Sequence, residues 1–263
     1  MNIKTAVITG GTSGLGEAAA LKFAKLGWNV LVVGRDPIRG ERVVSEGSSN
    51  ITFYKADLFS VADVNRLASV LLIAAPKIDL LVNNAGGTFQ KNIRTIDGFE
   101  RTIALNVVTP FVLTQKLLPA LAAAKGRVVN ITTGIPKSAK LTLDDLTGSK
   151  VGAGMKSYIS SKLALIALTQ EQAKRYSALG VTSAALHPGI IPGTRFGGEL
   201  PKALLAVGGL VTKLFGLTTT LDQAAERFVN LGTLPIKSGC YYKEGKLAVA
   251  PDSINDAAFT RSL

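Results

Sequence analysis

Thr5-Ala6-Val7-Ile8-Thr9-Gly10-Gly11-Thr12-Ser13-Gly14-Leu15-Gly16 is the stretch on which the fold turns. A short β-branched run ends in a loop with glycines at 10, 14 and 16. Apolar Ala18, Ala19, Leu21, Ala24 and Leu26 then recur near helical spacing until Gly27. This predicts a strand over 5–9, a helix over 15–26 and a sharp turn between them. Glycines at such a turn let a phosphate approach the backbone, where the free amides and positive dipole end of the next helix favour it. Gly10, Thr12, Ser13, Gly14, Leu15 and Gly16 are therefore candidate cofactor contacts. The spacing, TGxxxGxG, differs from the GxGxxG form of the dinucleotide loop.

Outward from this unit, strands are expected at 29–34, 51–55, 80–83, 127–132, 181–187 and, briefly, 239–242. Each is preceded by a segment able to form a crossover helix. These runs are apolar on both faces, as a parallel sheet covered by helices on both sides requires. The expected architecture is α/β, a doubly wound Rossmann-type parallel sheet of about seven strands forming a single domain over 1–263, since α/β sheets reach about 200–250 residues around one core. The segment 193–217 breaks the rhythm, with glycines at 197, 198, 208 and 209. It reads as a mobile apolar lid, with an ordinary core helix and loop as the alternative. Pro201, Lys202 and Lys213 interrupt it too often for a membrane span of about 20 apolar residues.

Thirty Lys and Arg face eighteen Asp and Glu, a net charge of +12, but without a basic run. That spread argues against nucleic-acid binding and suits collection of an anionic cofactor. Hydrophobic residues make up 47% of the chain, enough apolar surface to exclude disorder. One cysteine, Cys240, and one histidine, His187, build neither an intrachain disulfide nor a structural zinc site. No metal is expected. The N-terminal stretch lacks a signal-peptide pattern, so the expected location is cytoplasmic, with peripheral membrane association and homo-oligomerisation left open. Cys240 reads as a small buried hydrophobe, His187 as structural, and Ser160 and Ser161 as helix filler. A hydrolase is excluded by the lack of a GxSxG elbow.

At the end of the second strand, nineteen residues after Gly16, stands Arg35. An NAD-preferring site has an acid there for the ribose hydroxyls. A guanidinium instead pairs with a 2′-phosphate, so Arg35 favours NADP(H) over NAD(H), with Arg39 as a second contact and Asp36 as a counterweight. Further on, Tyr158-Ile-Ser-Ser-Lys162 puts a phenol and an ammonium four residues apart, on one face of a helix. Asn83-Asn84-Ala85-Gly86 closes the fourth strand, and Arg127-Val-Val-Asn-Ile-Thr-Thr-Gly134 carries the fifth.

These motifs, in this order and over nearly the whole chain, resemble the short-chain dehydrogenase/reductase superfamily. The resemblance implies Tyr158 as general acid/base and Lys162 as the group that lowers its pKa and holds the nicotinamide ribose. It also implies Asn106, in Ala-Leu-Asn-Val-Val-Thr-Pro, as the proton-relay asparagine. Asn83, Ala85 and Gly86 match the element beside the adenosine, and Asp57 with Leu58, in Lys-Ala-Asp-Leu, the element near adenine. Pro188 and Gly189 pass the nicotinamide, and Thr194 matches a residue touching its carboxamide or the pyrophosphate. Thr133 stands where the family usually has serine; it keeps the hydroxyl but restricts its rotamer. Twenty-five residues separate Thr133 from Tyr158, and that insert, with Gly239-Cys-Tyr-Tyr242, resembles the retinol dehydrogenase and protochlorophyllide reductase branch.

The resulting expectation is an NADP-dependent oxidoreductase moving a hydride between nicotinamide and an apolar carbonyl or alcohol. A phenol of pKa near 10 needs a nearby cation to act as a base at neutral pH. Thr133 motivates one alternative, a catalytically silent NADP-binding sensor or scaffold.

Overall fold

The computed structural model describes residues 3–141, 146, 153–191, 218–251 and 254. Its strands are β1 (Thr5–Thr9), β2 (Asn29–Gly34), β3 (Ile51–Lys55), β4 (Leu80–Asn83), β5 (Arg127–Ile131), β6 (Thr182–His187), β7 (Cys240–Lys243) and β8 (Lys246–Ala248). They form one sheet in the order β3-β2-β1-β4-β5-β6-β7-β8. All neighbours are parallel except β7 and β8. The chain thus adopts the doubly wound α/β class expected of it, with one strand more. Lys243 and Lys246 pair across Glu244 and Gly245, whose φ values of 55° and 84° make the two-residue hairpin turn that adds β8.

Strand residues alternate between two apolar layers. Ala6, Ile8, Val30, Val32, Leu80 and Val82 meet α1 (Gly14–Lys25) and α7 (Leu221–Thr233) on one face. Val7, Leu31, Val33 and Leu81 meet α3 (Val61–Ala74) and α5 (Thr109–Ala124) on the other. This two-sided demand is why β1 and β4 are buried at every position and apolar between Thr5 and Thr9 and ahead of Asn83. Each Leu or Phe buried this way contributes about 1.5–3 kcal/mol. A short α2 (Pro37–Glu46) follows β2, N-capped by the Asp36 carboxylate.

A continuous helical run spans Arg101–Ala124: α4 (Arg101–Ile103), a π turn (Ala104–Val108), then α5. It is long and apolar enough by composition to cross a membrane. Leu113, Leu117 and Leu121 are nevertheless fully buried in the core. The long α6 (Met155–Tyr176) packs Leu163, Ile166 and Ala167 against Ile103, Val107, Ala185 and Tyr241. The expected lid at 193–217, with Thr194, lies outside the described residues, as do residues 143–145 of the insert.

Strand order reverses between β1 and β4. In an open parallel sheet that is where strand ends part and leave a crevice for a ligand.

Candidate active site

The β1 loop is fixed from the neighbouring strand. The Thr9 hydroxyl accepts from the backbone N–H of Asn84 and of Ala85, both at 3.0 Å. Asn84 Nδ2 donates to the Thr9 and Gly10 carbonyls at 2.9 and 3.3 Å. Gly10 sits at φ 65°, and a Cβ at Gly16 would stand 2.3 Å from the Gly10 carbonyl oxygen, so neither position admits another residue without a shift. Gly14, at φ 54°, opens the other way: a Cβ there would meet nothing within 4 Å. Ser13, the N-cap of α1, makes no side-chain capping bond. With no side chain capping the first turn of α1 and open space beside Gly14, these residues fit a pyrophosphate. Thr12 packs over Gly34, and Leu15 is buried against the core.

At the ends of β2 and β3 a cavity of about 500 Å³ is lined by Arg35, Lys55, Ala56, Asp57, Asp63 and Arg66. Arg35 and Lys55 bring positive charge here, which suits a phosphate-bearing ribose, whereas Arg66 is paired with Asp63 at 2.9 Å. Arg39, expected as the second contact, is instead paired with Asp36 at 3.1 Å. Lys55 and Arg66 were not singled out in the sequence, although Lys55 ends the strand beside Arg35. The Asp57 carboxylate accepts from the Phe59 amide at 3.1 Å, and the Asp57 amide donates to Asp63 at 2.7 Å, which holds the Asp63 carboxyl below its ordinary pKa. Leu58 is buried, and its carbonyl accepts from Thr109. Arg35 stacks 5.2 Å from the Phe59 ring centre. Arg101 lies 5.0 Å from Phe59 and 4.4 Å from Phe89. This cation–aromatic wall has no periodic signature in sequence.

Asn83 is placed otherwise than expected. Its Nδ2 donates to Asn130 Oδ1 at 2.8 Å and Thr114 Oγ1 at 3.2 Å. Asn130 in turn donates to Thr169 Oγ1 at 2.9 Å and Gln172 Oε1 at 3.0 Å. Its side chain joins a buried polar network.

The chemical groups meet at the ends of β4 and β5. Thr133 sits close enough to the Tyr158 phenol to hold its pKa down against burial. Lys162, 1% exposed, donates to the Ile131 carbonyl at 2.9 Å, with Nζ 5.8 Å from the Tyr158 ring centre. A Cβ on Gly86 would stand 3.0 Å from both Lys162 Nζ and Asn106 Oδ1. The π turn presents Asn106 inward, a common use of π geometry at functional sites. Asn106 Oδ1 accepts from Gly87 N–H at 3.0 Å, while Nδ2 donates to Gly87 O at 3.1 Å and Ser161 Oγ at 2.9 Å. Ser161 is therefore no filler: its hydroxyl also donates to the Tyr158 carbonyl at 2.7 Å.

Electrostatics here differ from the simple picture of a cation lowering a phenol. Burial pushes Tyr158 up to about 12, opposed by the nearby Thr133 side chain. Burial also pulls Lys162 down to about 7, which weakens the cation it offers at neutral pH.

His187 is buried and its pKa falls to about 4, so it is neutral at pH 7. The loop after it is clamped by Arg227, which donates to the Pro188 carbonyl and, at 3.1 Å, to Thr219 Oγ1. A Cβ on Gly189, at φ 109°, would overlap Thr219. Tyr241 donates its hydroxyl to the Thr133 carbonyl at 3.0 Å, backing Thr133 from β7.

A family model described as "short chain dehydrogenase" matches residues 4–204. Bovine retinol dehydrogenase 12 is 36% identical over 194 residues, covering 72% of this chain and 61% of its own length. The chain thus spans about three fifths of that relative. A Streptomyces sp. (strain C5) protein provisionally named a daunorubicin C-13 ketoreductase is 32% identical over 272 residues, covering 99% of this chain and 90% of its own. Among solved structures, the Pseudomonas aeruginosa RhlG/NADP active-site complex superposes with a TM-score of 0.71 at 26% identity, covering 91% of this chain and 94% of that one.

Proposed function

The chain belongs to the short-chain dehydrogenase family, and from that premise we propose that it is an NADP(H)-dependent oxidoreductase acting on an apolar carbonyl or alcohol. The observation carrying this reading is the meeting of Thr133, Tyr158 and Lys162 at the strand ends beside the switch-point crevice. NADP(H), when bound, supplies or accepts the hydride. Gly14 and the first turn of α1 receive its pyrophosphate, and Arg35 with Lys55 receives a 2′-phosphate.

In the reductive direction Tyr158 gives its proton to the substrate oxygen. A phenol held up at about 12 is protonated at neutral pH and ready for that step. Thr133 donates a hydrogen bond to the same oxygen, where negative charge develops. Lys162 stabilises the phenolate left behind, and Asn106 locks the Gly86–Gly87 turn against α6. In the oxidative direction Tyr158 must first lose its proton, which burial opposes.

An apolar substrate is supported by the relatives. Retinol and daunorubicin, which their names carry, are bulky conjugated molecules with large apolar surfaces. The test is NADPH oxidation with all-trans-retinal and a polycyclic aryl ketone, comparing wild type with Tyr158→Phe. Turnover that falls by orders of magnitude in the variant, with NADPH affinity retained, supports the reading. Equal turnover in both would remove Tyr158 from the chemistry. NADPH binding without oxidation would favour the silent sensor.

A further inference from the structure

Two serines on α6 precede the two reactive residues: Ser157 before Tyr158 and Ser161 before Lys162. Being four apart, they share a helix face, and both meet the helical run beginning at Arg101. Ser161 pairs with Asn106 at 2.9 Å, and Ser157 Oγ donates to Glu100 Oε2 at 2.7 Å. Glu100 is 1% exposed. Its Oε1 also accepts from Thr102 N–H at 2.9 Å and Thr102 Oγ1 at 3.0 Å, and its Oε2 from Ile103 N–H at 3.2 Å. One buried carboxylate therefore N-caps α4 and grips the first turn of α6, whose own N-cap, Gly154, supplies no side chain.

Burying a carboxylate is a poor way to strengthen a fold, because an apolar pair of similar volume holds two helices as well without the desolvation cost. A short charge-assisted bond is directional, however, and this one ends on the residue next to Tyr158. We propose that Glu100, acting through the Ser157 hydroxyl, is a positioning residue that seats the first turn of α6 and so sets the Tyr158 phenol against Thr133 and Lys162. This rests on the catalytic reading above. Neither residue touches the reacting atoms, and sequence inspection alone passed over both.

The experiment uses the full chain with NADPH and all-trans-retinal, in wild type, Ser157→Ala, Ser157→Thr, Glu100→Gln and the Glu100→Gln/Ser157→Ala pair. Turnover and NADPH dissociation constants are measured. In parallel, tyrosinate absorbance is titrated and assigned to Tyr158 by difference from Tyr158→Phe. Ser157→Ala should lower kcat about tenfold or more, the scale expected of a small misplacement of a reacting group. NADPH affinity should stay within about twofold. The Tyr158 midpoint should move down towards that of an ordinary phenol as water reaches the loosened turn, while Ser157→Thr, keeping the hydroxyl, stays close to wild type. In kcat the paired variant should match Ser157→Ala alone, since Glu100 reaches the Tyr158 turn only through the Ser157 hydroxyl. Wild-type kcat and a wild-type Tyr158 midpoint in Ser157→Ala would overturn the proposal. If Ser157→Ala does not fold, Glu100→Gln, which keeps an acceptor oxygen but loses the charge, decides by the same two readouts. A shifted midpoint in a chain whose wild type turns nothing over would sustain the positioning role and refute the catalytic reading instead.

Discussion

Gly14→Ala and Gly16→Ala, two residues apart in the first turn of α1, should differ most in cofactor binding. A Cβ on Gly16 would lie 2.3 Å from the Gly10 carbonyl oxygen and 2.5 Å from Asn84 Nδ2. Comfortable contact is roughly 3.5 Å, so one partner must retreat by about 1 Å. Neither yields easily, because Asn84 is bonded to the Thr9 and Gly10 carbonyls at 2.9 and 3.3 Å. Such overpacking costs about 1–3 kcal/mol, and each kcal/mol shifts Tm by about 2–4 °C in a chain of this size. Gly16→Ala should therefore melt several degrees low. Gly14→Ala meets nothing within 4 Å and bears only the strain of φ 54°, about 1–2 kcal/mol. Its methyl, however, would project into the space assigned to the pyrophosphate. NADPH should bind about tenfold or more weakly, a loss of about 1.4 kcal/mol. Thermal melting without ligand and calorimetric titration with NADPH read the two effects separately. Wild-type NADPH affinity in Gly14→Ala would refute the assignment of this loop as the phosphate cradle.

Arg35→Asp should replace a charge-assisted contact worth about 1.5–3 kcal/mol by repulsion, lowering the preference for NADPH over NADH more than tenfold. An unchanged ratio of dissociation constants would transfer that role to Lys55. His187 carries a pH prediction. Its folded pKa of about 4 lies below the ordinary 6.5, so the unfolded chain binds the extra proton between these values and stability falls on acidification through that window. The penalty approaches about 3 kcal/mol, and His187→Asn should show a flatter stability profile between pH 6.5 and 4 than wild type. Asn130→Ala strips partners from Asn83, Thr169 and Gln172 and should cost about 1–3 kcal/mol, measured by denaturant unfolding, while leaving NADPH affinity intact.

The fold was legible because its signals are local. The run 5–16 holds a strand, a turn and a helix start within twelve residues, and two-sided burial leaves apolar strands that no half-wet sheet would tolerate. The eighth strand escaped notice because Leu247 is exposed on the sheet's edge, so Lys246–Ala248 has no apolar pattern; only the Glu244-Gly245 turn betrays it. In the candidate site, Thr133, Tyr158 and Lys162 were legible through spacing and resemblance. What was not legible depends on which way a side chain turns. Asn83 and Asn84 are identical in type, yet one enters a buried network and the other pins the Gly10 loop. The glycine loop told of phosphate, but the cations gathered with Arg35 come from β3 and α3, far apart in sequence. Ser157, Ser161 and Glu100 are common residues in helical surroundings, and only tertiary contact distinguishes them from filler.

The central claim is that this site moves hydride to a carbonyl carbon while Tyr158 supplies the proton. Single-turnover reaction of NADPH deuterated at the nicotinamide C4 position with all-trans-retinal, followed by mass spectrometry of the product, tests it most directly. Wild type should form a retinol one mass unit heavier than the unlabelled product, and Tyr158→Phe should lose it. Retinal recovered unreduced beside bound, unoxidised NADPH would contradict the claim.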